Sequence, residues 1–187
     1  MGVIPVSRLR RLVGALALVA FVAMGTAGAP AAAAPDAFAA MNVQPAVREA
    51  QAPPFKLQTL EGTPLALEDL KGKVVAFYFW RTWRPFCRRE LPAMVRLEGE
   101  FRKEGLVLLG ITGEPVETVR GFFAKPGPAF TTLLDPKDIA SDECAFHSTP
   151  TIIFIGRRGQ VMGRVIGARN WDSAEGRAFL RHLLALP

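Results

Sequence analysis

Residues 74–80, Val-Val-Ala-Phe-Tyr-Phe-Trp, form a nearly unbroken apolar run rich in β-formers, led in by Gly72-Lys73. A run of this kind predicts a strand covered on both faces. Such a strand needs one layer above it and another below, which points to an α/β architecture.

The flanking sequence supplies those layers. Phe55 to Leu57 and Leu65 to Leu67 read as short extended pieces about a turn at Glu61-Gly62. A helix should start at Pro85, where the missing N–H of proline costs nothing. It carries Leu91, Met94, Val95, Leu97 and Phe101, with a kink expected at Pro92. Leu106 to Ile111 is a second buried strand, Pro115 to Phe123 a helix, Phe130 to Leu134 a short strand and Pro136 to Phe146 a short helix. Thr151 to Ile155 and Val161 to Ile166 should pair as a hairpin through Arg158-Gly159. Asp172 or Ser173 caps a last helix bearing Phe179, Leu180, Leu183 and Leu184. The alternation predicts a mixed central β-sheet flanked by helices on both faces, with strands 74–80 and 106–111 adjacent and parallel.

The first part of the chain reads differently. Arg8, Arg10 and Arg11 precede the thirteen-residue apolar run Leu12 to Met24, where a spanning helix needs about 20. Small residues follow, and Ala31-x-Ala33 and Ala37-x-Ala39 are two candidate cleavage sites. This is the pattern of a cleavable secretory signal peptide over residues 1–33, an uncleaved membrane anchor being the other reading. Residues 34–52 are Ala- and Pro-rich and read as a linker or an arm lying on the domain, which then occupies 53–187. A periplasmic or otherwise extracytoplasmic location follows, with no membrane span after cleavage. Of the 23 basic residues, three leave with the signal segment; 20 then face 17 acidic ones. That mild excess, without a basic run interleaved with aromatics, argues against nucleic acid as a partner. Two cysteines, Cys87 and Cys144, are too few for a disulfide scaffold or a Cys-built zinc site. No metal or other cofactor is expected.

The segment from Phe79 to Pro92 reads Phe-Trp-Arg-Thr-Trp-Arg-Pro-Phe-Cys-Arg-Arg-Glu-Leu-Pro. It resembles the strand-to-helix junction of TlpA/ResA-type thioredoxin-like proteins, where W-C-x-x-C leads into a helix with E-L-P. The resemblance runs from about Pro53 to the C-terminus. It takes in Gly72-Lys73, Thr149-Pro150-Thr151 before a buried strand, and Gly167-Ala168 with Trp171. It implies a thioredoxin-like fold and a place in the thiol-disulfide redox system. It also implies a cis peptide at Thr149-Pro150, beside the motif, for binding a partner's extended chain.

The departure falls at one position. Trp83 and Pro85 flank an arginine, Arg84, where the family has its first cysteine; Cys87 matches the second. In the family the first thiol attacks a substrate disulfide and the second resolves the mixed disulfide. Arginine has no nucleophile and stays protonated, so that two-thiol cycle is excluded within this motif. Cys87 alone is then the candidate redox thiol, or else a buried, inert one. The helix dipole with Arg84 and Arg88 favours thiolate, whereas apolar burial raises a thiol pKa. The sequence leaves that contest open. Cys144 is a possible second thiol, if its Cα comes within about 7 Å of Cys87, or a helical position facing the core.

Arg81, Arg84, Arg88 and Arg89 gather at the helix start, either as a site for an anion or acidic partner or as a solvated face with pairing to Glu90 or Asp69. Glu90 reads as an ion-pair partner rather than a base, His147 as a loop histidine near Pro150, and Trp80 and Trp83 as packing over the motif helix. Three functions are compatible with these residues. One is an exported thiol-exchange protein acting through Cys87, on an exported or membrane-bound polypeptide that carries thiols. The second is a non-catalytic or chaperone-like binding module, and the third a one-cysteine thiol peroxidase. The last fits least, since peroxiredoxins resemble T-x-x-C and lack the cis-proline.

Overall fold

The structure is a computed structural model that describes residues 36–48, 50–127, 129–143 and 148–187. Cys144 and His147 therefore lie outside the described residues. Val74–Phe79 is a strand, β4, with all six residues buried. It pairs in parallel with β5, Leu106–Thr112, and antiparallel with β7, Thr151–Ile155. Both neighbours bring further apolar runs, so the middle of the sheet has no polar face.

The remaining strands extend the sheet outward. β8, Val161–Ile166, pairs with β7 as the hairpin foreseen at Arg158-Gly159, with Gly159 at φ 81°. A positive φ suits a residue without Cβ. β1, Gln44–Pro45, adds to the far side of β8. On the other side β6, Thr132–Leu134, runs parallel to β5. β2, Lys56–Thr59, pairs antiparallel with β6 and β3, Pro64–Ala66, closes that edge. The order is β1-β8-β7-β4-β5-β6-β2-β3, a mixed sheet.

Helices cover both faces, as the thioredoxin-like resemblance implies. On one side Cys87, Leu91, Met94, Leu97 and Phe101 of α2 (Pro85–Phe101), Val119 of α3 (Val116–Phe123) and Phe179, Leu180 and Leu183 of α5 (Ala174–Ala185) form one core. On the other, Ala140 of α4 (Ile139–Glu143) and the 3₁₀ turn Leu67–Leu70 join Phe55, Phe77, Phe79 and Ile153. Pro85 is the first residue of α2, and the helix continues unbroken through Pro92. Ser173 caps α5, its side chain accepting from the Gly176 N–H at 3.0 Å. Residues 36–52 pack on the domain. A short helix α1, Ala37–Ala40, is capped by Asp36, and Met41, Val43 and Ala52 are buried.

Candidate functional site

The site lies where β4 ends and α2 begins. Trp80 follows the strand and turns into a cluster with Phe122, Phe123 and Phe130, at ring distances of 5.2 to 5.9 Å. Gly110 of β5 makes room for it, since a side chain there would collide with the Trp80 indole and the Phe130 ring. Trp80 thus packs toward α3. Trp83 lies at the surface, 63% exposed. Trp80 shares one core with Cys87 and Leu91 of α2, whereas the placement of Trp83 over the helix is corrected: it sits exposed in the turn ahead of it.

The turn between strand and helix is held by Glu114, just beyond β5. Its carboxylate accepts from the Thr82 N–H at 2.7 Å and from the Thr82 hydroxyl at 2.8 Å. Arg81 donates to the Trp80 carbonyl and to Thr112 Oγ1. Neither Thr82 nor Glu114 carries a signature that sequence reasoning could have used. Both are ordinary polar residues 32 positions apart, joined only by the parallel pairing of β4 and β5.

Arg84 is the N-cap of α2, with extended φ and ψ of −72° and 118°, and its side chain makes no capping hydrogen bond. It is thus beside the first turn rather than on a helical face with Cys87. Its guanidinium lies over the Trp83 ring, 5.0 Å from the centroid, and its buried Nε has no hydrogen-bond partner among the described residues. Arg89 lies likewise over Phe86, at 4.9 Å. Arg88 and Arg89 are exposed.

Cys87 is fully buried and is a free thiol. The Arg81 N–H and the hydroxyls of Tyr78 and Thr149 hydrogen-bond its sulfur and favour thiolate. Burial outweighs them and pushes the Cys87 pKa up, with the Glu90 carboxylate adding in the same direction. The contest left open by the sequence goes to burial, because Arg88 faces water and Arg84 leans away onto Trp83.

Glu90 is 4% exposed and belongs to a hydrogen-bonded network rather than an ion pair. Oε1 accepts from the Trp171 indole N–H and from the Arg169 backbone N–H at 3.0 Å, and Oε2 lies 3.2 Å from the Tyr78 hydroxyl. Burial raises its pKa against the pull of those donors. Asp69 is engaged elsewhere, accepting from the Ala66 N–H at 2.9 Å. The pairing of the basic cluster with Glu90 or Asp69 is thus corrected: both carboxylates are taken by donors inside the domain.

Thr149-Pro150 is cis and adjoins this site, the Thr149 hydroxyl reaching the Cys87 sulfur. The fold therefore brings together Trp83, Arg84, Pro85, Cys87, Thr149 and Pro150. Chemically the named residues offer a cis peptide, a fixed positive charge and a shielded thiol, with no exposed nucleophile among them. Among the described residues no cluster of His, Cys, Asp and Glu could hold a metal ion, and no helix is long and apolar enough to cross a membrane.

Comparison with known proteins agrees with this geometry. Residues 49–164 match the AhpC/TSA family. The chain is 34% identical over 113 residues to the thiol-disulfide oxidoreductase ResA of Halalkalibacterium halodurans, covering 60% of this chain and 64% of that protein. Among solved structures it is similar to a putative thiol:disulfide interchange protein DsbE from Chlorobium tepidum, with TM-score 0.68, 25% identity and coverage of 74% and 98%. It is also similar to a secreted Mycobacterium tuberculosis disulfide oxidoreductase homologous to E. coli DsbE, with TM-score 0.57, 26% identity and coverage of 66% and 92%.

Proposed function

The chain belongs to the AhpC/TSA family, and from that membership we propose that it serves the thiol-disulfide redox system outside the cytoplasm by holding polypeptide chains, not by attacking their disulfides. One observation carries this reading: Arg84 stands at the helix start where a nucleophile would be needed, while the one motif thiol, Cys87, is fully buried. A thiolate must meet a disulfide sulfur in line, so a shielded thiol with a raised pKa is a poor attacker. The cis Thr149-Pro150 peptide lies beside Cys87, and a backbone edge there would bind an extended chain without a nucleophile. The signal-like segment 1–33 supports a location in the periplasm or at the outer face of a membrane.

Single-thiol exchange through Cys87 is the second reading, and one observation favours it. Hydrogen bonding from the Arg81 N–H and the Tyr78 and Thr149 hydroxyls already favours the Cys87 thiolate against burial, so a motion that exposed the sulfur would lower its pKa.

The test compares the protein with Cys87→Ala. Both should bind a reduced, alkylated unfolded protein with equal affinity, and neither should reduce insulin above the dithiothreitol background. Insulin reduction by the unsubstituted protein, lost in Cys87→Ala, would favour exchange over holding.

A further inference from the structure

The start of α2 is unusual in its charge and in what it exposes. Residues 81–89 contain four arginines and no acidic residue. The first acidic side chain, Glu90, is turned inward to Tyr78 and Trp171. None of Arg84, Arg88 and Arg89 forms an ion pair among the described residues. Beside them Trp83 and Phe86 are 63% and 52% exposed, two large apolar rings at the surface of one short segment. Scattered exposed apolar residues are ordinary, but two neighbouring aromatics rimmed by cations form a patch.

The rings and guanidiniums are also arranged with respect to one another. Arg84 lies over Trp83 and Arg89 over Phe86, at 5.0 and 4.9 Å. A guanidinium seated on an aromatic ring keeps its charge and its N–H donors, and a carboxylate can meet those donors with paired hydrogen bonds. The helix adds to this: Arg84 offers no capping oxygen, so the positive end of α2 faces the same region.

We propose that Trp83, Arg84, Phe86, Arg88 and Arg89 form a docking surface for an acidic segment of the bound polypeptide, one in which carboxylates alternate with apolar side chains. The apolar side chains lie on Trp83 and Phe86, and the carboxylates meet Arg84, Arg88 and Arg89. Charge complementarity selects this occupant, because a basic or neutral segment would leave three unpaired guanidiniums beside it. The inference rests on the polypeptide-holding reading given above and specifies which segments are held.

Three fluorescent peptides of equal length test it, with Phe alternating with Glu, with Gln or with Lys. Anisotropy titration of the purified protein should show the Glu peptide binding about tenfold more tightly than the Gln peptide, with the advantage shrinking as NaCl rises from about 20 to about 300 mM. Trp83→Ala should weaken both. The double variant Arg88→Glu/Arg89→Glu changes two exposed side chains and should reverse the order, so that the Lys peptide binds best. If all three peptides bind equally, polypeptide holding stands and the acidic preference is overturned. If none binds, and the unfolded protein is not bound either, both readings fail. An unchanged order in the double variant also overturns the proposal.

Discussion

The hydroxyl of Tyr78 and Oε2 of Glu90 lie 3.2 Å apart beneath the first turn of α2. The same hydroxyl is 3.2 Å from the Cys87 carbonyl oxygen, and it has only one proton to give. When Glu90 carries a proton, its O–H can donate to Tyr78, which leaves the Tyr78 proton for Cys87. When Glu90 is ionised, its carboxylate competes with Cys87 for that proton. Burial favours the protonated acid and prevails over the donors of Arg169, Trp171 and Tyr78, which pull toward the carboxylate.

The pH dependence of stability follows from that preference. The folded Glu90 pKa is raised above its ordinary value of 4.5. Between those two values the native state holds a proton that the unfolded chain has released, so stability falls as pH rises through the window. Below the ordinary value the contribution is complete. Glu90→Gln keeps a neutral donor and acceptor, and should remove this part of the decline. Urea midpoints from about pH 4 to about pH 8 should fall less steeply in Glu90→Gln than in the unsubstituted protein. Glu90→Ala, which strands the Trp171 and Arg169 N–H groups, should cost about 2–4 kcal/mol.

Cys87 should resist alkylation in the folded protein. Its pKa is raised above 9.0, with burial as the leading cause, and its sulfur is shielded. In a Cys144→Ser background, iodoacetamide at about pH 7.5 should leave it unmodified over hours and label one equivalent in urea. Rapid labelling of the folded protein, with a midpoint below its ordinary value, would mean that the charges at the helix start prevail over burial.

Arg84→Cys should create an activity the natural protein lacks. The new thiol would occupy the half-buried N-cap position, with Cys87 one turn on as resolver. Attack on an insulin disulfide gives a mixed disulfide; attack by Cys87 then releases reduced insulin and leaves an intramotif disulfide for dithiothreitol to reduce. Turbidity from precipitating insulin chains should rise at least about tenfold above background. Equal rates for the two proteins would show that Arg84 is not what silences the motif.

Processing should leave Ala34 as the first residue. Asp36 caps α1 by accepting from the Phe38 N–H at 2.9 Å, and the Phe38 ring meets Phe179 at 5.3 Å. A cut after Ala33 keeps both contacts, whereas a cut after Ala39 removes them. Intact-mass measurement of the exported protein should find the longer form, and deleting residues 34–39 should lower stability by about 1–2 kcal/mol.

What could be read in advance depended on the range of the interaction. Val74–Phe79 and Leu106–Thr112 are apolar throughout, so their type, burial and parallel pairing were legible from local pattern. Pro85 and Ser173 likewise marked helix starts by their own chemistry. The arm was not legible as part of the sheet. β1 is two residues long, includes a proline, and is recruited by backbone bonding to β8. The state of Cys87 and the role of Glu90 were also hidden. Trp171 and Arg169 reach Glu90 from 81 and 79 positions away. No local spacing announces such partners, and burial is decided only when α2, β4 and the 149–150 turn meet.

Arg169 shows how the two ends of this chain are joined. Its backbone N–H supports Glu90 inside the motif helix, while its side chain donates to the Met41 and Asn42 carbonyls of the arm. Any pull on the polypeptide from its N-terminal side is thus borne at the residue that braces the helix carrying Cys87. The arm thus serves as a strut for the helix that carries Cys87.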